Sequence, residues 1–398
     1  MKKRTIAKTG ATMLTMAMLL NGTTVFAADN SYKGVKGGSA TFDKYLVMDQ
    51  EANVPNASFT YTIEPGTAKN YDVDNKKVQV LAGVGTPTMT DEDTETAGYQ
   101  LVFKPGDTLY KTLQTRDQVK DFDPTKQGYA KKTSTVDFSG VTFTEPGIYR
   151  YVITETGTNQ AVTNDENNKR YLDVYVTDEN GTLKVSGYIL HATDSDVGMK
   201  DSQGSDGTEP EGKSQGFTNT YDTSNLTFKK EVSGNQASHD KYFEFTVEIK
   251  DAVPGTEYNV DIQGATPTSG SNAATIANNA NKTNVTKLKA DNDGKVTQKF
   301  YLQHGQYITI QGIAKDSTYT VTENEEDYKS EAAVVDGYKD LTTGKVASTD
   351  LKTSYLNTRA GAIPTGVIMT VAPFAAVTLL GAAGMVTIKM RKKEDDAE

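Results

Sequence analysis

Cysteine is absent from this 398-residue chain, so no disulfide can staple it and no thiolate can serve as nucleophile or metal ligand. Tryptophan is absent as well, and the three histidines, His191, His239 and His304, lie far apart without an H-E-x-x-H pair, which argues against zinc. Asp291-Asn292-Asp293-Gly294 resembles the opening of a calcium loop but has no Glu at its twelfth position; it reads as a hairpin turn. No G-x-S-x-G elbow or phosphate loop occurs, so the chain has no catalytic cluster for an external substrate and implies no cofactor or metal. Positive charge is also in deficit. The net charge is −10, which argues against nucleic acid or an anionic membrane surface as partner.

What is present at the two ends points to export. Lys2, Lys3, Arg4 and Lys8 form a basic leader, 11–20 is a short apolar segment, and Val25-Phe26-Ala27 offers a small-residue cut, so 1–27 reads as a signal peptide. At the other end an apolar run spans 367–388, followed by Lys389, Arg391, Lys392 and Lys393 in a charged tail, 389–398. About 22 residues at ~1.5 Å each cross a hydrocarbon core of about 30 Å, and the cations beyond favour a cytoplasmic end. Ile363-Pro364-Thr365-Gly366, within the segment 359–366, stands immediately outside this stop signal. A Pro-Thr-Gly so placed is where a sortase cuts, with Thr365 becoming the acyl group, so the membrane is a partner only of the precursor. Removal of both ends moves the net charge to about −14.

The remaining 28–365 region has room for two domains of about 100 to 200 residues each. Abundant Tyr and Thr, and short alternating segments broken by Gly, Asn and Asp, predict an all-β sandwich fold in two tandem domains, 28–221 and 222–358. The clearest hairpin pairs 171–177 with 182–190 through a turn containing Asn180-Gly181. Further strands are expected at 39–49, 58–64, 77–81, 141–143, 148–155, 225–232, 242–249, 294–302, 319–323 and 353–357. Only 110–122 looks marginally helical. The stretches 194–215 and 264–284 read as exposed, mobile loops.

The two halves repeat one pattern. Thr41-Phe42-Asp43-Lys44 matches Thr227-Phe228-Lys229-Lys230; Tyr151-Val152-Ile153-Thr154-Glu155 matches Tyr319-Thr320-Val321-Thr322-Glu323; Phe217-Thr218-Asn219-Thr220 matches Tyr355-Leu356-Asn357-Thr358. Each half therefore carries Lys, Glu and Asn in the same order. Because strand side chains alternate faces with period two, each of the six shares a face with apolar neighbours. Desolvation there lowers a lysine pKa and raises a glutamate pKa. An unprotonated amine, a carboxamide and a protonated acid form a reactive set. The amine attacks the Asn carbonyl, the Glu donates to the carbonyl oxygen and relays protons, and ammonia leaves an amide cross-link. Rim lysines, solvated glutamates and turn asparagines would give the same letters singly; a triad repeated in order, in a chain lacking cysteine, argues for chemistry.

With leader, repeated triad, sorting sequence and tail together, the chain resembles the Gram-positive backbone pilins, the T-antigen-like family made of two tandem immunoglobulin-like β-sandwich domains with intramolecular Lys-Asn isopeptide bonds. That resemblance implies Lys44 to Asn219 and Lys230 to Asn357 cross-links, with Glu155 and Glu323 as the acids. The sorting sequence resembles the family's V-P-T-G variant, with Ile363 in place of Val, and departs from L-P-x-T-G, which favours a dedicated pilin sortase. The resemblance also implies a surface lysine before the last strand of the first domain as acceptor for Thr365: Lys213, with Lys200 as the alternative. Expected partners are then a pilin-class sortase, identical subunits in a head-to-tail covalent polymer, minor pilins and cell-wall peptidoglycan, on a secreted protein of the cell-surface pilus. The competing reading is a monomeric wall-anchored adhesin stabilised by the same bonds.

Overall fold

The computed structural model describes residues 32–73, 76–91, 99–197, 212–332, 337–339 and 341–361. The expected signal peptide, Lys200, the sorting residues Ile363, Pro364, Thr365 and Gly366, and the 367–388 span lie outside the described residues. Among the described residues no helix is long and apolar enough to cross a membrane. The chain forms two compact units. The first takes the described residues of Met1–Val47, Ala57–Phe103 and Tyr110–Thr220, and the second those of Met48–Asn56, Lys104–Leu109 and Tyr221–Glu398.

Both units are built of β-sheet, as the alternation predicts. Phe243–Lys250 illustrates the cause: Phe243, Phe245, Val247 and Ile249 are fully buried while the intervening Glu and Thr residues face outward. In the first unit one sheet runs Val162–Thr163, Gly216–Tyr221, Ser39–Asp49, Gln127–Asp137, Thr88–Asp91. The other runs Thr182–His191, Lys169–Glu179, Gly147–Thr156, Ala57–Pro65, Gln100–Phe103, with Lys76–Ala82 parallel to Gly147–Thr156. In the second unit one sheet is ordered Lys287–Lys289, Glu257–Gly264, Gln306–Ala314, Thr223–Ser233, Leu351–Thr358, Lys329–Ala332, and the other Val296–Leu302, Phe243–Lys250, Thr318–Glu323, Thr343–Lys345.

One feature of the topology positions everything that follows. In each unit a strand near its beginning lies beside its last strand, in parallel: Ser39–Asp49 pairs with Gly216–Tyr221, and Thr223–Ser233 with Leu351–Thr358. Parallel neighbours cannot be joined by a tight turn, so these pairs bring together residues far apart in the chain.

The predicted hairpin forms as Lys169–Glu179 and Thr182–His191, closed by Asn180 and Gly181 at φ 56° and 84°, both in the left-handed region a type I′ turn needs. Other readings need correction. Residues 110–122 are not helical: Arg116 and Asp121 hold φ 77° and 54°, which no α-helix permits, and Tyr110 and Phe122 instead pack on Tyr129. Tertiary burial overrides a weak helical pattern there.

The stretch 264–284 is not a featureless loop. It contains a helix, Ala273–Asn279, capped by Asn272, whose side chain accepts from Thr275 N at 3.0 Å. The buried Asn279 ties it down, accepting from Tyr242 N at 2.9 Å and donating to Asp240 O at 2.6 Å. At the start of 194–215, the buried Arg150 pairs in bidentate fashion with Asp173, at 2.7 and 2.8 Å, and donates to the carbonyls of Asp194 and Asp196. That end of the stretch is held by the core, and not free as its polarity suggests. Strands Gln127–Asp137, Glu257–Gly264 and Gln306–Ala314 were not foreseen from the pattern.

Candidate functional site

The structure brings Lys44, Glu155 and Asn219 together. Lys44 and Asn219 come from the adjacent parallel strands: Phe217 pairs with Lys44 and Asn219 with Leu46, so the lysine and the asparagine are diagonal neighbours on one face. Glu155 reaches them from the opposite sheet, where it pairs with Tyr61. Lys44 Nζ is 2.7 Å from Glu155 Oε2, and Asn219 Nδ2 donates to Glu155 Oε1 at 2.6 Å. Lys44 and Asn219 are fully buried and Glu155 nearly so.

The surroundings are aromatic. Lys44 Nζ sits 4.2 Å from the centroid of Phe59, and alongside it Phe42 meets Tyr61 and Phe217 edge-to-face while Tyr61 and Phe217 lie tilted to each other. Burial in this setting pushes the Lys44 amine down to about 8, against the opposing pull of Glu155. Tyr61 donates its hydroxyl to Glu155 Oε2 at 2.6 Å; burial and that carboxylate hold its own pKa well above the usual phenol range.

The second unit repeats the register. Lys230 pairs with Tyr355 and Val232 with Asn357, giving the same diagonal, and Glu323 arrives from the opposite sheet opposite Phe245. Lys230 Nζ is 2.7 Å from Glu323 Oε1, at an angle outside hydrogen-bond geometry, and 4.4 Å from the centroid of Phe243. Asn357 Nδ2 donates to Glu323 Oε1 at 3.1 Å. Burial pushes Lys230 down to about 8 and Glu323 up, each opposed by the other. Where the first unit has Tyr61 the second has Phe245, and its glutamate receives a hydroxyl from Ser330 at 2.8 Å.

One expected role is corrected. Glu155 touches the lysine with one oxygen and the carboxamide nitrogen with the other, not the carbonyl oxygen. Asn219 Oδ1 instead accepts from the backbone N–H of Asp165 at 2.9 Å. A backbone N–H can only donate, which fixes which end of the carboxamide faces it. The arrangement suits Glu155 to take a proton from Nζ and deliver one to Nδ2, the departing nitrogen.

Asn219 Nδ2 also donates to Asn164 Oδ1 at 3.1 Å, and Arg170 holds the Asp165 carboxylate at 2.7 Å, so the residues missed by sequence reasoning are Tyr61, Asn164, Asp165, Arg170 and Ser330. Tyr61 had a signal: Phe59-Thr60-Tyr61-Thr62-Ile63 alternates as Phe243-Glu244-Phe245-Thr246-Val247 does. Asp165 acts through its backbone and had none. Lys213 is partly exposed, its backbone bridged to His191, with Ser214 N donating to Leu190 O at 2.9 Å. It stands just before the strand Gly216–Tyr221 that carries Asn219.

Comparison with known proteins matches this organisation. The family model for the Spy0128-like isopeptide containing domain matches residues 41–222, and a domain of unknown function, DUF7601, matches residues 224–359. A curated relative, a pilin of Streptococcus pyogenes serotype M1, is 26% identical over 411 residues, covering 98% of this chain and 99% of the relative. The chain is thus similar to this pilin over nearly its whole length, and residues 41–222 match the isopeptide-domain family. Among solved structures, the major pilin from Streptococcus pyogenes is similar with a TM-score of 0.48 at 21% identity, over 82% of this chain and all of that one. The T3.2 major pilin of the same organism gives 0.44 at 21%, over 81% of this chain and all of that one.

Proposed function

We propose that this protein is a backbone pilin, the major structural subunit of a sortase-assembled covalent pilus, with each unit locked by an autocatalytic Lys-Asn isopeptide bond. The observation that carries the reading is the pair of buried Lys, Glu and Asn sites, set in the same parallel register in both units. In each, a bond forms between lysine Nζ and asparagine Cγ and the Cγ–Nδ2 bond breaks. The proton removed from Nζ passes through the glutamate to Nδ2, which departs as ammonia. No oxidant or cofactor is needed. The cross-link joins a strand near the beginning of the unit to its last strand, so tension along the chain passes through covalent bonds instead of sheet hydrogen bonds.

Assembly follows from the ends of the sequence. A sortase cleaves after Thr365 and transfers that acyl group to Lys213 of the next subunit. Partial exposure and a position before the last strand suit Lys213 to enter an enzyme cleft, whereas Lys44 and Lys230 are buried and consumed. The test is an immunoblot of wall extracts. A ladder resistant to boiling in detergent is expected, collapsing to monomer in Lys213→Ala. A ladder that persists in Lys213→Ala overturns the acceptor assignment, and a single band in the unmodified protein favours a monomeric wall-anchored adhesin.

A further inference from the structure

Asn219 is gripped at both ends of its carboxamide, and the second grip involves residues outside the Lys, Glu and Asn set. Its Nδ2 donates to Glu155 Oε1 at 2.6 Å and to Asn164 Oδ1 at 3.1 Å, while its Oδ1 receives the Asp165 N–H at 2.9 Å. Attack of Lys44 Nζ on Cγ places negative charge on Oδ1. A fixed donor already aimed at that atom stabilises the charge without reorganising.

The donor is held by a dedicated clamp. The Asp165 carboxylate accepts from Arg170 Nη2 at 2.7 Å and from Thr218 N at 2.9 Å through one oxygen, and from Asn167 N at 3.1 Å through the other. Arg170 is itself buried, donating to Gly216 O at 2.7 Å, Ser214 Oγ at 3.0 Å, Asn167 O at 2.7 Å and Lys169 O at 2.9 Å, with its guanidinium over the Phe217 ring. The clamp thus ties the 164–167 turn to the strand that carries Asn219. An aspartate and an arginine used only to stabilise the fold would not require that the turn end with an N–H on the reacting oxygen.

The second unit provides the contrast. Asn357 Oδ1 is buried and, among the described residues, receives no hydrogen bond. The two sites share lysine, glutamate, asparagine, aromatic floor and register; they differ at the carbonyl oxygen and in the hydroxyl that meets the glutamate, Tyr61 in the first unit and Ser330 in the second.

We propose that the backbone N–H of Asp165 is an oxyanion donor for isopeptide formation in the first unit, that Asp165 and Arg170 are positioning residues for it, and that the second unit lacks this assistance. The proposal rests on the isopeptide reading of the two sites. It follows that the first-unit bond forms faster than the second.

The experiment follows the loss of ammonia in the freshly purified mature region by mass spectrometry, with peptide digestion assigning each loss of about 17 Da to one unit. In the unmodified protein the first-unit loss is expected to precede the second. Asp165→Ala keeps the N–H but releases the turn, and is expected to slow the first-unit bond roughly 10- to 100-fold, less than the ~10²–10³ seen when an oxyanion donor is removed outright. The second-unit rate in the same molecules serves as internal control. Asp165→Asn keeps an oxygen for Arg170 and Thr218 N and is expected to restore most of the rate, which a loss of fold would not allow.

Electrostatics predicts the opposite sign. Asp165 favours the charged form of Lys44, so its removal alone would free more amine and speed the reaction. A first-unit rate in Asp165→Ala equal to or above that of the unmodified protein overturns the proposal and leaves the isopeptide reading standing. Absence of any mass loss in the unmodified protein overturns that reading itself.

Discussion

Asn219→Ala isolates what the first-unit bond contributes to stability. The substitution removes the electrophile but leaves Lys44 Nζ and Glu155 Oε2 at 2.7 Å, so the buried charge keeps its partner. A bond from Lys44 to Asn219 closes a loop of roughly 175 residues, which in the chain-entropy treatment of cross-links stabilises the folded state by about 5 kcal/mol. The alanine also leaves Asp165 N–H and Glu155 Oε1 without the carboxamide they meet at 2.9 and 2.6 Å. Each unsatisfied buried group costs about 1 to 3 kcal/mol, so the two together bring the expected loss to about 7 to 11 kcal/mol. For a unit of this size each kcal/mol corresponds to about 2 to 4 °C, so the first-unit transition should fall by roughly 14 to 44 °C.

Differential scanning calorimetry reads this directly, with the second-unit transition as reference and intact mass confirming one bond absent. Far-UV dichroism should be unchanged, because the sheet hydrogen bonds do not depend on the cross-link. A first-unit shift under about 4 °C, equivalent to about 1 kcal/mol, in protein shown by mass to lack the bond would refute the closure argument.

Three further outcomes are expected. The unmodified mature region should weigh about 34 Da less than its calculated mass, and Glu155→Ala and Glu323→Ala should each restore about 17 Da; a fresh, folded sample at its calculated mass ends the isopeptide reading. Since Lys44 and Lys230 are both pushed down to about 8, bond formation should accelerate as pH rises towards 8 and level off above it; a rate unchanged from pH 6 to 9 would contradict amine deprotonation as the controlling step. In unbonded Asn219→Ala the sign for stability is the same. The unfolded lysine keeps its proton to about 10.4, so between about pH 8 and 10.4 the unfolded state binds more protons and stability rises with pH. Urea midpoints at pH 7 and 9.5 would check it.

Much of this protein was legible in its letters. Period-two alternation named the faces of Lys44, Glu155 and Asn219, because a strand's side-chain geometry is local, and Asn180-Gly181 named its turn because positive φ is a property of those residues. Order along the chain suggested that each half holds one lysine, one glutamate and one asparagine. Strands such as Gln127–Asp137 escaped notice because Lys131, Lys132 and Thr133 break the apolar alternation; the strand is paired by neighbours distant in sequence. The helix Ala273–Asn279 and the held start of 194–215 likewise depend on partners elsewhere, Asp240 and the buried Arg150, that no local pattern announces.

What only the tertiary structure decided is the geometry of the two Lys, Glu and Asn sites. The parallel pairing that sets lysine and asparagine on one diagonal is a long-range register. The contact of Glu155 with Asn219 Nδ2 follows from the Asp165 N–H, which takes the carboxamide oxygen and leaves the nitrogen to the carboxylate. The donor on Asn219 Oδ1 is a main-chain N–H, present at every residue but proline and so silent in any sequence, and it acquires a role only where Arg170 and Thr218 hold its turn against the right atom.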